Sequence, residues 1–132
     1  MKMRYGCHAS DFGSKPFVVD IEKITTTNND FRTAVWTGTN LQLMVMSIQP
    51  GDDIGIEIHH DVDQMLCIQQ GRGLVEMGKD KDNLSFLQPV FENSAIFIPA
   101  GTWHNLLNTG EIPMKLYSIY APPNHPMGGV CQ

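Results

Sequence analysis

The sequence predicts an all-β fold, and three observations support this prediction. Short runs rich in β-branched and aromatic residues recur along the chain, turn-forming Gly, Pro and Asn residues separate them, and only Ile21–Asn29 could contain a helix. Many short strands at close spacing are typical of a β-sandwich or barrel. The predicted strands are Phe17–Ile21, Phe31–Trp36, Leu41–Ile48, Ile54–His59, Gln64–Gln69, Leu74–Met77, Ala95–Ile98, Trp103–Leu107 and Met114–Tyr120.

The chain is predicted to form a single domain over residues 1–132, with a core at about 31–121. This length is sufficient for a hydrophobic core without disulfide bonds. A strand segment at the N-terminal end is expected to precede the core. The segment Gly78–Asn83 is predicted to be a polar hairpin loop, and Pro122–Gly129 an extended tail, because its proline and glycine residues disfavour both strand and helix.

Composition excludes some classes of function. The formal net charge of −5 argues against a nucleic-acid-binding surface, because phosphate backbones require a basic face. No apolar run approaches the roughly 20 residues of a membrane span, and no signal peptide is visible. Cys7, Cys67 and Cys131 show no paired spacing, so we expect reduced thiols and a cytoplasmic protein.

Polar residues in the predicted strand Ile54–His59 indicate a functional site. Side chains alternate along a strand, so Glu57 and His59 share one face while Ile54, Ile56 and Ile58 point to the other. A buried carboxylate requires a compensating partner. That partner could be a bound cation or an Arg or Lys of the barrel, and the sequence leaves both open.

A second polar pattern follows later in the chain. Gln64 opens the next apolar strand, and a Pro99–Gly101 turn leads into a strand that places His104 and Asn108 on one face. If these segments are neighbours in a barrel, four polar side chains converge on one point. These are Glu57, His59, Gln64 and His104.

The spacing of these residues resembles the two motifs of the cupin superfamily. The first motif is Gly, five residues, His-x-His, four residues, Glu, six residues, Gly, and this chain has Gly51, Glu57-Ile58-His59, Gln64 and Gly71 at those positions. The second is Gly, five residues, Pro-x-Gly, two residues, His, three residues, Asn, and this chain has Asn93, Pro99-Ala100-Gly101, His104 and Asn108. Asn93 can replace glycine because asparagine accepts a positive φ.

The resemblance implies a double-stranded β-helix, or jelly-roll barrel, that holds one divalent metal ion. The implied ligands are Glu57, His59, Gln64 and His104. Relative to the usual three His and one Glu, the carboxylate has moved to another position, and the ligand charge of −1 is unchanged. Imidazoles with oxygen ligands suit Zn, Mn, Fe or Ni. No organic cofactor is expected.

Other interpretations of these residues remain open. Gln64 could be only a hydrogen-bonding core residue, and Glu57 only the partner of a basic side chain. His60, Asp61 and Asp63 are expected to be solvated in the turn after the predicted strand. His8 and His125 lie near the chain ends without a partner pattern.

Three functions are compatible with this site. The chain is similar to the phosphomannose isomerases, which implies a metal-dependent isomerase acting on a small polar molecule such as a sugar or sugar phosphate. Two histidines and one carboxylate are also typical of non-haem iron oxygenases. The third possibility is a non-catalytic protein that binds a small ligand or a metal. We also expect a homodimer, with Ile54, Ile56 and Ile58 at its interface.

Overall fold

The computed structural model describes residues 11–125, which form two antiparallel sheets and one short helix. The elements are α1 (Ile21–Thr26), β1 (Arg32–Thr37), β2 (Gln42–Ile48), β3 (Asp63–Gln70), β4 (Gly73–Gly78), β5 (Phe86–Val90), β6 (Ala95–Ile98), β7 (Trp103–Asn108) and β8 (Met114–Ala121). In the larger sheet the strand order is β1-β2-β8-β3-β6, and in the smaller one it is β5-β4-β7. This confirms the all-β class and the jelly-roll barrel.

The hydrophobic core lies between the two sheets. The larger sheet contributes Met46, Ile68 and Leu116, and the smaller sheet contributes Val75 and Leu106. Each of these side chains is at most 2% exposed. Burial of such apolar area stabilises the barrel by roughly 25 cal/mol per Å². No helix within residues 11–125 is both long enough and apolar enough to cross a membrane.

The structure differs from the sequence prediction near the N-terminal end. The strand predicted at Phe17–Ile21 is wrong, because residues 17–20 have no strand conformation and Ile21 begins α1. Asp20 caps this helix, since its side chain accepts a hydrogen bond from the Lys23 backbone N–H. The helix ends at Thr26 and does not continue to Asn29.

One strand was not anticipated from the sequence. β5 pairs with β4 at an edge of the smaller sheet, and its exposed residues and Pro89 hide the usual alternation. Proline is tolerated there because an edge strand leaves backbone groups unpaired. The predicted Gly78–Asn83 hairpin loop begins at the last residue of β4, and an Asp80–Asn83 bridge closes its turn.

The segment predicted as strand Ile54–His59 is instead an irregular extension beside β7. Two isolated bridges connect it to β7, one between Asp53 and Leu107 and one between Glu57 and His104. The bridges are four residues apart in this segment but three residues apart in β7, so the segment contains one extra residue. Gly55 supplies the extra residue with φ of +84°. Such a bulge reverses the alternation of the side chains. Ile54 therefore lies in the core, and the prediction that it faces outward at a dimer interface is wrong.

Positive backbone angles occur at the predicted turn positions. Asn93 has φ of 72°, as expected from its replacement of the motif glycine. Gly71 has φ of +89°, and a Cβ atom there would lie 3.2 Å from the Met114 Cα. Any larger residue at position 71 would therefore be strained both by its own backbone and by its neighbour.

Gln42 attaches the end of the described chain to the barrel. Its fully buried side chain accepts hydrogen bonds from the backbone N–H groups of Asn124 and His125, at 3.1 and 2.9 Å. It donates to the His125 carbonyl at 2.9 Å and to the Thr37 hydroxyl at 3.1 Å. Asn124 and His125 of the predicted tail are thus bound to the barrel, and the part of that tail after His125 lies outside the described residues.

We expect Gln42→Leu to destabilise the protein and to release this segment. The substitution removes the partner of three backbone groups, each worth about 1 kcal/mol when its hydrogen bond is lost. Urea unfolding should show a loss of about 3 kcal/mol, and hydrogen exchange at the His125 amide should accelerate. The matched control is Gln49→Leu, at an exposed position. Equal behaviour of the two variants would contradict this role of Gln42.

Candidate metal centre

Backbone pairing places Glu57 opposite His104. The two residues exchange both backbone hydrogen bonds, each with an N···O distance of 2.9 Å. In such an antiparallel pair the two side chains leave the backbone on the same face. The pairing therefore places the carboxylate and the imidazole side by side, whatever else the site contains.

His59 joins this pair through the Pro99–Gly101 turn. The Gly101 N–H donates to the His59 carbonyl at 2.8 Å, and the rings of His59 and His104 are 5.3 Å apart between centroids. One ligand atom from each of Glu57, His59 and His104 lies within 4.8 Å of the other two. The sequence-predicted convergence of these three residues is therefore present in the fold.

The two oxygens of the Glu57 carboxylate face different neighbours. Its Oε1 faces the Nε2 atoms of His59 and His104 at 3.5 and 3.8 Å, and its Oε2 lies 3.4 Å from the Arg32 Nη2. Burial raises the pKa of Glu57, but the neighbouring His59 imidazole and the charge of Arg32 more than compensate and lower it below its usual value. Glu57 is therefore ionised at neutral pH.

His104 presents one ring nitrogen to the site. Its Nδ1 lies 3.0 Å from the Thr102 carbonyl, which can only accept, so Nδ1 carries the hydrogen in the neutral ring. The lone pair of Nε2 then points toward Glu57. Burial lowers the pKa of His104, partly opposed by the Thr102 hydrogen bond. A neutral imidazole with its second nitrogen held by a carbonyl is the usual arrangement of a metal ligand.

Gln64 lies on β3, directly opposite Tyr120 of β8. Its amide nitrogen donates to the Ser118 hydroxyl at 3.0 Å, which orients the amide group. Its carbonyl oxygen Oε1 is buried and accepts no hydrogen bond. Tyr120 contacts the His59 ring, with centroids 5.8 Å apart, so Gln64 is at the same end of the barrel as the three other predicted ligands.

Buried atoms without partners indicate that this group can hold a metal ion. His59 Nε2, His104 Nε2 and Gln64 Oε1 are each buried and make no hydrogen bond. Buried polar atoms in proteins almost always have a partner, which can be a water molecule or an ion. Two imidazole nitrogens, a carboxylate and an amide oxygen are donors that Zn, Mn, Fe and Ni accept. The residues thus fit a divalent metal ion.

Three further residues, which neither motif predicts, surround this centre. Arg32 is 8% exposed and pairs with Glu57, whereas Tyr120 and His125 stack edge to face at 5.1 Å. Burial raises the pKa of Tyr120, and burial together with the charge of Arg32 lowers the pKa of His125 to about 4. An inward strand position was the only available signal for Arg32.

The other polar residues near the motifs do not join the centre. His60, Asp61 and Asp63 are exposed, as expected. The Asp63 carboxylate accepts a hydrogen bond from the Ala100 N–H at 2.9 Å and so anchors the turn that precedes His104. Lys115 binds the backbone and side-chain oxygens of Asn28 and Asn29. His8 lies outside the described residues.

Comparisons with known proteins agree with this geometry. The family model described as the cupin domain matches residues 44–120. The uncharacterised protein YrkC of Bacillus subtilis is 62% identical over 120 residues, which are 91% of this chain and 64% of YrkC, so the chain spans just under two thirds of that relative. The crystal structure of BH2720 from Bacillus halodurans matches with a TM-score of 0.91 and 58% identity, over 93% of this chain and 92% of BH2720.

A more distant match names a sugar-nucleotide enzyme. Mannose-1-phosphate guanylyltransferase of Escherichia coli is 27% identical over 82 residues, which are 62% of this chain and 16% of that protein. The family match spans more than half of the chain, extends from within β2 to within β8, and includes all four predicted ligands. By fold, motif spacing and family match, this chain belongs to the cupin family.

Proposed function

We propose that this cupin binds one divalent metal ion and acts as an isomerase on a small sugar or sugar phosphate. The ligands would be Glu57, His59 and His104, with Gln64 as the fourth. The observation that carries the metal site is the set of three buried, unpartnered atoms that accompany the Glu57 carboxylate. Each of these atoms would gain a partner from a single ion.

The surroundings of the site support a small, oxygen-rich substrate. When bound, a divalent metal ion would polarise a carbonyl oxygen and a neighbouring hydroxyl oxygen of such a molecule. Tyr120 keeps its proton at neutral pH, since its ordinary pKa lies far above 7 and burial raises it further. Glu57 is 26% exposed, which allows a small molecule to reach the site.

The similarity to a mannose-1-phosphate enzyme supports the choice of substrate class. That similarity covers the cupin region alone, and this chain corresponds to 16% of the relative's length. The shared part therefore supports a site for a phosphorylated sugar or a related molecule, and it does not extend to nucleotide transfer.

An isotope-exchange experiment tests the proposal. Apo protein prepared by chelation would be reloaded with Zn, Mn, Fe(II) or Ni and incubated in D₂O with mannose, mannose 6-phosphate and the corresponding ketoses. We expect NMR to show deuterium entering the carbon next to the carbonyl with loaded protein, and no exchange with apo protein. Metal binding without any exchange would refute the isomerase, and absence of metal binding would refute the site itself.

One observation favours a second function. Glu57, His59 and His104 are two histidines and one carboxylate, the ligand set of many non-haem iron oxygenases. Oxygen consumption by the iron-loaded protein, but not by the zinc-loaded protein, would support this function. Tight binding of a small molecule that is returned unchanged would instead support a non-catalytic binding protein.

A further inference from the structure

Residues 122–125, which we call the strap, fold back over the end of the barrel that contains the candidate metal centre. Gln42, Tyr120 and Gln64 are paired in one row across the larger sheet, so their buried side chains share its inner face. Gln64, at one end of this row, is a predicted ligand. Gln42, at the other end, holds the backbone of the last two strap residues through three hydrogen bonds of 2.9 to 3.1 Å. The strap therefore lies on the same face of the sheet as the centre.

His125 places its ring close to the residues of the centre. The ring stacks edge to face on Tyr120 at 5.1 Å between centroids, and Tyr120 contacts the His59 ring in the same way at 5.8 Å. Burial lowers the pKa of His125 to about 4, and the charges of Arg32 and Glu57 also act on it. His125 is therefore neutral at neutral pH and lies on the Tyr120 side of the centre.

The strap covers one side of the centre and leaves another side open. The Glu57 side chain is 26% exposed, whereas the Tyr120 ring that His125 contacts is buried. The strap itself is half-buried or exposed, and the three hydrogen bonds that hold its backbone all come from the Gln42 side chain. A surface segment held in this way opens locally at a lower free energy than global unfolding requires. The strap can therefore open while the barrel remains folded.

We propose that the strap is a movable cover of the candidate ligand-binding site, and that its release from Gln42 admits a molecule of about monosaccharide size beside His59. This inference rests on the proposed function for the identity of the site and adds how access to it is controlled. With the strap closed, the centre is open beside Glu57. With the strap released, it also opens on the Tyr120 side, so the position of the strap sets the size of the molecule that the site takes.

The test measures how fast a reagent of about monosaccharide size reaches His59 in the apo protein. Diethyl pyrocarbonate acylates neutral imidazole, and tandem mass spectrometry of peptides reports the rate at each histidine separately. We expect Gln42→Leu to raise the His59 rate at least about tenfold, since each lost hydrogen bond shifts an opening equilibrium about fivefold. The exposed His60 should react equally fast in all variants and serves as the internal reference.

Two further variants separate release of the strap from a general loss of stability. Asn108 is buried and also makes three hydrogen bonds, but at the end of β7 that lies away from the centre. We therefore expect His59 in Asn108→Leu to react at the wild-type rate. His125→Ala keeps the backbone hydrogen bonds to Gln42 and removes the covering ring, so it should raise the His59 rate by a smaller factor than Gln42→Leu does.

The possible results separate the strap from the proposed function. Equal His59 rates in wild type, Gln42→Leu and His125→Ala would overturn the strap. A rise in Asn108→Leu as large as that in Gln42→Leu would also overturn it, because the opening would then be global. If Gln42→Leu does not fold, the comparison of wild type with His125→Ala decides the question. The labelling requires no metal ion, so failure to bind a metal would refute the proposed function without affecting this result.

Discussion

His104→Ala is expected to lose metal binding almost completely. His104 is 1% exposed, its Nδ1 is held by the Thr102 carbonyl, and its Nε2 faces the other candidate ligands. Removal of an outer partner of a metal ligand costs about 10–100-fold in affinity, so loss of a ligand should cost at least about 100-fold. Elemental analysis of purified protein, followed by titration of the apo form, measures this directly.

The matched control for this substitution is His60→Ala. His60 follows a predicted ligand by one residue but is exposed to solvent. We expect this variant to retain the metal content and affinity of the wild type. Comparable metal content in His104→Ala and wild type would show that the ion, if any, binds elsewhere, and the proposed isomerase would lose its basis.

Asn108→Leu is expected to destabilise the fold by about 3 kcal/mol without changing the metal ligands. Asn108 is 3% exposed, and its side chain donates to the carbonyls of Ile48 and Ile112 and accepts from the Gly110 N–H, at 2.8, 2.9 and 2.8 Å. Leucine has a similar shape but leaves these three backbone groups unpaired, each at about 1 kcal/mol or more. Urea unfolding with an unchanged m-value would measure the loss.

Asn83→Leu provides the comparison, because Asn83 is exposed in the β4–β5 loop and its backbone forms the turn hydrogen bond. Exposed substitutions of this kind usually change stability by less than about 0.5 kcal/mol. Folded Asn108→Leu should still bind metal like wild type. If both variants unfolded at the same urea concentration, the hydrogen bonds of Asn108 would contribute nothing to stability.

The predicted part of the site depends on local sequence spacing. Glu57, His59 and His104 meet because two short segments with defined turns pair with each other, and motif spacing records this pairing directly. Asn93 could be assigned a positive φ for the same reason, since a turn requires particular residue types. Such features are visible in a sequence because a few neighbouring residues determine them.

Other parts of the structure depend on contacts between distant residues. Gly55 introduces a bulge that places Ile54 in the core, and a glycine among isoleucines does not reveal the pairing partner that makes it one. Arg32 reaches Glu57 from a strand 25 residues earlier, and Gln42 holds His125 from 83 residues away. Alternation alone could not identify these pairs.

The reciprocal backbone hydrogen bonds between Glu57 and His104 have a consequence for how the centre can evolve. These backbone hydrogen bonds fix the positions from which the two side chains extend. The backbone pairing therefore does not depend on which residue type occupies position 57 or 104. Exchange of a carboxylate and an imidazole then alters the preferred ion while the scaffold stays in place. A cupin with Glu57 and Gln64 thus has the same backbone arrangement with a different set of candidate ligand side chains.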